Sequence, residues 1–293
     1  MKTFLYWFLA VFITLTAAVY QRRTGPTYPK RLDVTVNNVK YDIKLTRSLG
    51  LDEPPTLRLA IDDQNASARI YYRKFRIDEP YTSADFIYKV EPVESFIMNK
   101  IFGMYEMKGF FAEIPQQPAA GKLEYYIEIT DDNGTTVLFK DNPVVIRFKG
   151  GVPPAILTPH ILFMFFAMLL STLAGLMAIG GRSEQRKYGI WALILLFAGG
   201  MVLGPVVQYY AFGELWTGVP FGWDLTDNKT LLSVLFWILA VAMNYRQPRP
   251  LYTIIAAVML LLVYSIPHSM FGSELDYESG KIIQGIIINY NFF

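Results

Sequence analysis

Five apolar runs dominate the chain and decide what it can fold into. They occupy residues 4–20, 155–180, 188–212, 230–244 and 251–266, with short polar loops between the last four. A bilayer's hydrocarbon core takes about 20 apolar residues of helix to cross, and runs of this length have no other common use in so small a chain. With 53% hydrophobic residues and 18% charged ones concentrated in the first half, the chain reads as an integral membrane protein. Lys2 precedes the first run and Gln21-Arg22-Arg23 follows it, as in a signal anchor. Thr16-Ala17-Ala18-Val19 is a poor cleavage site, so the expectation is an uncleaved anchor.

Residues 30–150 follow a different period. Leu32-Asp33-Val34-Thr35-Val36 alternates, and so does the stretch 39–45 after Asn37-Asn38, a pair suited to the left-handed residues of a tight hairpin turn. Residues 56–61, 68–76, 86–90, 123–130, 135–139 and 144–148 read as further strands, separated by Asp, Glu, Pro, Asn and Gly. Residues 98–107 break the alternation and read as a short helix or loop packed on the membrane surface. Short strands at this spacing predict an antiparallel sandwich. The fold expected is thus a membrane helical bundle of about five spans with an all-β domain between the first two. Its parts are an anchor and linker over 1–29, the β domain over 30–150 and a four-helix membrane domain with a tail over 151–293.

The segment 119–134, with Tyr125-Tyr126 before Asp131-Asp132-Asn133-Gly134, resembles the penultimate strand and turn of an immunoglobulin or fibronectin type III domain. That resemblance implies a tyrosine capping a neighbouring backbone group, and no chemistry. Segments 20–29, 222–230 and 268–277 resemble pieces of a bacterial multi-pass membrane protein family with no established activity. This second resemblance implies the same layout and transfers no catalytic residue.

Charge sets the expected orientation. The loops 181–187 and 245–250 hold Arg182, Arg186, Lys187, Arg246 and Arg249, whereas 213–229 holds only Lys229 as a base. Positive loops stay in the cytoplasm, which puts the β domain, the 213–229 loop and the C-terminus in the periplasm of a bacterial inner membrane. Arg22, Arg23, Lys30 and Arg31 oppose this, although long translocated domains follow the rule loosely.

Several function classes are excluded or disfavoured. No Cys is present, so disulfides, thiolate metal sites and cysteine nucleophiles are out. A net charge of +2 without a basic stripe gives no nucleic-acid footprint. P-loop, dinucleotide-turn, nucleophile-elbow and HExxH motifs are missing. The apolar runs of spans two to five contain no Asp, Glu, Lys or Arg, which disfavours ion-coupled transport. Gln208 and Tyr264 are the buried polar candidates there, and tertiary hydrogen bonds explain them most simply.

The two histidines, His160 and His268, fall at span ends on the expected outer side. Asp224 and Asp227 come from the 213–229 loop, and Glu274 and Asp276 follow His268. Imidazoles with carboxylates suit a divalent metal, and two imidazoles suit a haem. The competing view is that each histidine, beside Pro159 or Pro267, is an interfacial polar group or helix-end hydrogen-bonder. The loop likewise has two expectations: the segment Asp224-Leu225-Thr226-Asp227 caps the next helix, with Asp227 and Thr226 accepting backbone N–H bonds, or a re-entrant or surface-lying loop floors an outward-facing site. The expected role is non-catalytic, with the β domain engaging a periplasmic or membrane protein partner, possible through its strand edges, while the helices sit in the lipid bilayer. The rival is a redox or metal protein using His160 and His268.

Overall fold

A computed structural model describes residues 2–267 and 273–283. The chain divides into two compact units: Thr27–Gly150, and Met1–Pro26 together with Gly151–Phe293.

In the β unit, β1 (Lys30–Val36) and β2 (Val39–Leu45) form a hairpin. Asn37 and Asn38 turn it with φ of 46° and 64°, the paired left-handed conformation that a two-residue loop requires. The remaining strands are β3 (Ser48–Gly50), β4 (Thr56–Leu59), β5 (Ser67–Lys74), β6 (Thr82–Pro92), β7 (Glu106–Glu113), β8 (Lys122–Asp131), β9 (Gly134–Leu138) and β10 (Val144–Lys149). Alternate residues along β1, β2 and β5 are buried, so one face makes the core. Leu57, Leu59, Ile70, Leu123, Ile127, Ile146 and Phe148 meet Val36, Ile43 and Leu45 there.

A sandwich of two separate sheets was expected, and the pairing differs. One continuous path runs β3-β10-β8-β5-β6-β7-β4 and curls into a half-barrel, with β1–β2 as a separate ribbon. The cause lies in β6, which is eleven residues long and changes partner midway. Residues Thr82–Phe86 pair with β5, and Ile87–Pro92 pair with β7. A strand that bridges both pairings fuses what would otherwise be two sheets. Gly109 in β7 leaves no room for a side chain beside β4: a Cβ there would lie 2.2 Å from the Leu59 carbonyl oxygen. Short helix α2 (Phe96–Ile101) joins β6 to β7.

Among the described residues, four helices of the second unit are long and apolar enough to cross a membrane. They are α1 (Lys2–Thr24), α3 (Pro154–Ile179), the continuous run Gln185–Phe212, and α6 (Leu225–Met243). These associate the chain with a membrane. The fifth span expected, α7 (Pro250–Ser265), has 16 residues. At 1.5 Å per residue it covers about 24 Å, less than the ~30 Å hydrocarbon core. Strands β11 (Glu274–Leu275) and β12 (Ile282–Ile283) pair in the tail, and residues 284–293 lie outside those described.

Small side chains set the helix spacing. A Cβ on Gly175 of α3 would sit 2.6 Å from that of Ala257 in α7, and one on Gly189 would sit 2.9 Å from the Trp237 ring. Helix α1 is packed rather than peripheral: Ala10 is buried against Leu169, Leu173 and Met177 of α3. The run Gln185–Phe212 comprises α4 (Gln185–Leu196), a π-helical stretch Phe197–Leu203, and α5 (Gly204–Phe212). Gly204 follows that stretch and its N–H reaches back five residues to the Gly199 carbonyl, while Pro205, next in the chain, has no N–H to give.

Candidate functional site

One polar cluster of the helical unit lies where α5, the 213–224 loop and the start of α6 meet. Gly213, at φ 84°, ends α5 in the left-handed cap that glycine takes without steric cost. The chain then folds back on itself. Trp216 Nε1–H donates to the Val219 carbonyl (3.1 Å), and the Phe221 and Gly222 amides both donate to the Gly218 carbonyl (2.9 Å each). Asn228 accepts from Val219 N–H at 2.7 Å.

Helix α6 starts at Leu225, five residues before the span expected from 230, so Asp227 and Lys229 belong to its first turns. The cap also differs from expectation. Asp224 is the N-cap, accepting from the amides of Thr226 (2.8 Å) and Asp227 (3.2 Å), the two residues expected to do the capping. An Asp at this position satisfies amides that the helix leaves unpaired and complements its dipole. Asp227 instead ties the loop down. Its carboxylate accepts from the Thr217 amide at 2.6 Å. Gln208 completes the brace, donating its amide N–H to Asp227 at 2.8 Å while its carbonyl accepts from the Thr217 hydroxyl at 2.7 Å. Gly218 is obligatory beside this group, since a Cβ there would stand 2.7 Å from that of Asp227.

Lys229 is 7% exposed and reaches the far end of α7. Its ammonium donates to the carbonyls of Ile266 (3.0 Å) and Pro267 (3.4 Å), at the negative pole of that helix. Gln21 of α1 donates to the same Ile266 carbonyl at 3.5 Å. One cation thereby links the loop-proximal end of α6 to α7.

His160 points at the π-helical stretch. Its Nδ1–H donates to the Gly199 carbonyl across 2.9 Å, which fixes the tautomer and leaves Nε2 as the acceptor nitrogen. Tyr264 donates to the Met164 carbonyl at 2.8 Å, the tertiary role expected of it. Of the proposed ligand set, Asp224 and Asp227 come together, but both carboxylates are held by amides. His268 lies outside the described residues. No group of three or more His, Cys, Asp or Glu placed to hold a metal occurs among the described residues.

Sequence reasoning missed a second polar centre at the opposite end of α6. Asn244 accepts from Arg249 N–H (2.8 Å) and Gln185 Nε2–H (3.1 Å), and donates to the Ala240 and Arg249 carbonyls and the Thr253 hydroxyl. The visible signal was an amide residue ending an apolar run just before Pro248 and Pro250. This centre closes the α6–α7 loop, a structural task.

The β unit carries two open surfaces. Strand β9 pairs with β8 along one side. Because β5 lines the whole opposite side of β8, β9 and β10 divide its remaining edge, and no other described strand pairs with β9. Gly134, Thr135, Thr136 and Val137 are exposed along it. The second surface is the apolar end of the β6–α2–β7 arm. Comparison with known proteins matched no family model, no curated protein and no solved structure.

Proposed function

We propose that this chain is a non-catalytic component of a bacterial inner membrane. In this view the helical unit anchors it, and an immunoglobulin-like β unit recruits a periplasmic or membrane protein partner by strand addition. The observation that carries the proposal is the open edge of β9. A five-residue strand with one unpaired side is a template for a further strand, and proteins without a use for such an edge normally cover or charge it. Five added residues bring roughly five backbone hydrogen bonds of ~1 kcal/mol net each, so recruitment by this edge alone is weak and reversible.

The rest of the design fits an anchor. Asp224, Asp227 and Lys229, three of the charges buried in the helical unit, hold backbone amides or carbonyls in place. Helix α1 contributes buried residues to the packing, as a retained anchor does. Arg182, Arg186, Lys187, Arg246 and Arg249 support cytoplasmic loops at 181–187 and 245–250, leaving the β unit outside. Tyr125, buried, donates its hydroxyl to the Thr46 carbonyl at 2.8 Å, in keeping with the immunoglobulin-like corner. Here the partner carbonyl comes from a residue 79 positions earlier in the chain.

A photo-crosslinking residue at Thr135 or Val137, in cells, tests the proposal against a control at exposed Asn65. One discrete protein adduct at the β9 positions, lost when the other carries Lys, supports it. No adduct, or the same adduct at Asn65, overturns it.

One observation favours the rival. A metal-ligating histidine commonly donates its other ring nitrogen to a carbonyl, as His160 does to Gly199. Stoichiometric metal or a haem absorption band in purified protein, lost in both His160→Ala and His268→Ala, would establish that alternative.

A further inference from the structure

Large apolar side chains stand exposed on the loop that joins α5 to α6. Phe221 is 82% exposed, Trp223 73% and Leu215 56%, while Glu214 is the one exposed charge between residues 213 and 224. The loop does not stand away from the helices. Thr217 donates its amide to Asp227, Val219 donates its amide to Asn228, and Gly218 abuts both of those side chains. Residues 217–219 therefore lie level with the first turn of α6. The loop also needs little water for its backbone. The amides of Thr217, Val219, Phe221, Gly222 and Asp224 all donate to acceptors within the chain, and Pro220 has no N–H.

We propose that this loop is an interfacial anchor, seating Phe221 and Trp223 among the phospholipids at the boundary between headgroups and acyl chains. Three features single out lipid. First, α6 fixes the depth. Its 19 residues cover roughly 28 Å, so in crossing a hydrocarbon core of ~30 Å it has no length to spare, and its first turn lies at the boundary. Phe221 and Trp223 precede Leu225 by four and two residues, at most ~14 Å and ~7 Å of chain, and the fold-back holds the loop beside that turn. Second, irregular backbone is tolerated next to hydrocarbon only where its polar groups are satisfied within the protein, as the loop's bonded amides are. Third, Tyr209 and Tyr210, exposed on the last turns of α5, stand at the same end of the helical unit and extend the aromatic surface into the belt that marks a membrane boundary. Seated in this way, the loop shields from lipid the buried Asp227 and Lys229 of the α6 start. The proposal rests on the membrane-spanning character of the helices and is independent of partner recruitment through β9.

The chain has no native cysteine, so single substitutions place a unique nitroxide label. Full-length protein carrying Phe221→Cys or Trp223→Cys is reconstituted in nanodiscs of phosphatidylcholine and phosphatidylglycerol. Asn65→Cys, exposed on the β unit, is the aqueous reference, and Leu235→Cys, exposed midway along α6, is the lipid reference. Power saturation with oxygen and a water-soluble nickel chelate reads depth. The oxygen-to-nickel accessibility ratio at 221 and 223 is expected severalfold above that at 65 and no higher than that at 235. Ratios equal to position 65 overturn the proposal. So does an immobilised label reached by neither reagent, which would mean that a protein partner or a second copy covers the loop. If position 235 itself reads aqueous, the membrane-spanning premise fails and the proposal falls with it, a result distinct from failure of the loop alone.

Discussion

Replacing Asp227 by Asn and by Ala should give widely different outcomes, because Gln208 can answer one substitution and not the other. In Asp227→Ala the Thr217 amide and the Gln208 amide N–H lose their acceptor in a half-buried setting. Each orphaned donor costs about 1–3 kcal/mol, so the variant should lose roughly 2–6 kcal/mol. In Asp227→Asn a rotation of the Gln208 amide restores every bond. The new Asn N–H donates to the Gln208 carbonyl, Gln208 N–H donates to the Thr217 hydroxyl, and Thr217 donates its amide and hydroxyl protons to the Asn carbonyl. What is lost is charge assistance, partly offset by no longer burying a charge, so the net cost is within ~1 kcal/mol. The midpoint of SDS-induced unfolding in mixed micelles, followed by tryptophan fluorescence, ranks the two variants. If Asn is as damaging as Ala, the brace argument fails and the negative charge itself is required. If neither variant shifts the midpoint, the 217–227 link carries no stability.

Two further outcomes concern the β unit of the full-length protein. Tyr125→Phe removes a buried hydroxyl and leaves the Thr46 carbonyl unpaired, so thermal unfolding of that unit should reveal a loss of ~1–3 kcal/mol; an unchanged transition would mean that water replaces the hydroxyl. Asp131 accepts from the Asn37 amide at 2.7 Å and the Asn133 amide at 2.9 Å, which holds its folded pKa below the ordinary carboxylate value. Its contribution is therefore present above the unfolded pKa of about 4 and lost as pH falls through the lower folded value. Asp131→Asn should flatten the acid side of the stability profile in that window, and a profile parallel to wild type would contradict this.

Much of the layout was legible because its signals are local. Apolar run length marks helices regardless of partner, and Asn37-Asn38 between two alternating stretches marks a hairpin. The start of α6 was misplaced because Asp227 and Lys229 look like loop residues when hydropathy alone is counted. Only the neighbours that bury them, Thr217 and the end of α7, make them helix residues. The partner change within β6 was hidden for a related reason: alternation tells which face a residue occupies, not which strand lies beside it. Residues Gln208, Thr217 and Asp227 stood in view as separate polar positions. Their convergence depends on the turns at Gly213 and Gly218, which fix distances that spacing cannot. The expected histidine pairing was an inference from topology, and His268 lies outside the described residues.

The wide turn before Pro205 also sets an angular phase. A helix advances about 100° per residue, and a bulge of this kind accommodates one residue more than a regular helix would. Every side chain from Gly204 onward is thus indexed by one position relative to α4. It is under this offset that Gln208 meets Thr217 and Asp227. A regular helix through residues 197–203 would swing Gln208 roughly a quarter-turn away from them. The same irregular stretch therefore both carries the Gly199 carbonyl on which His160 is seated and turns Gln208 onto the loop.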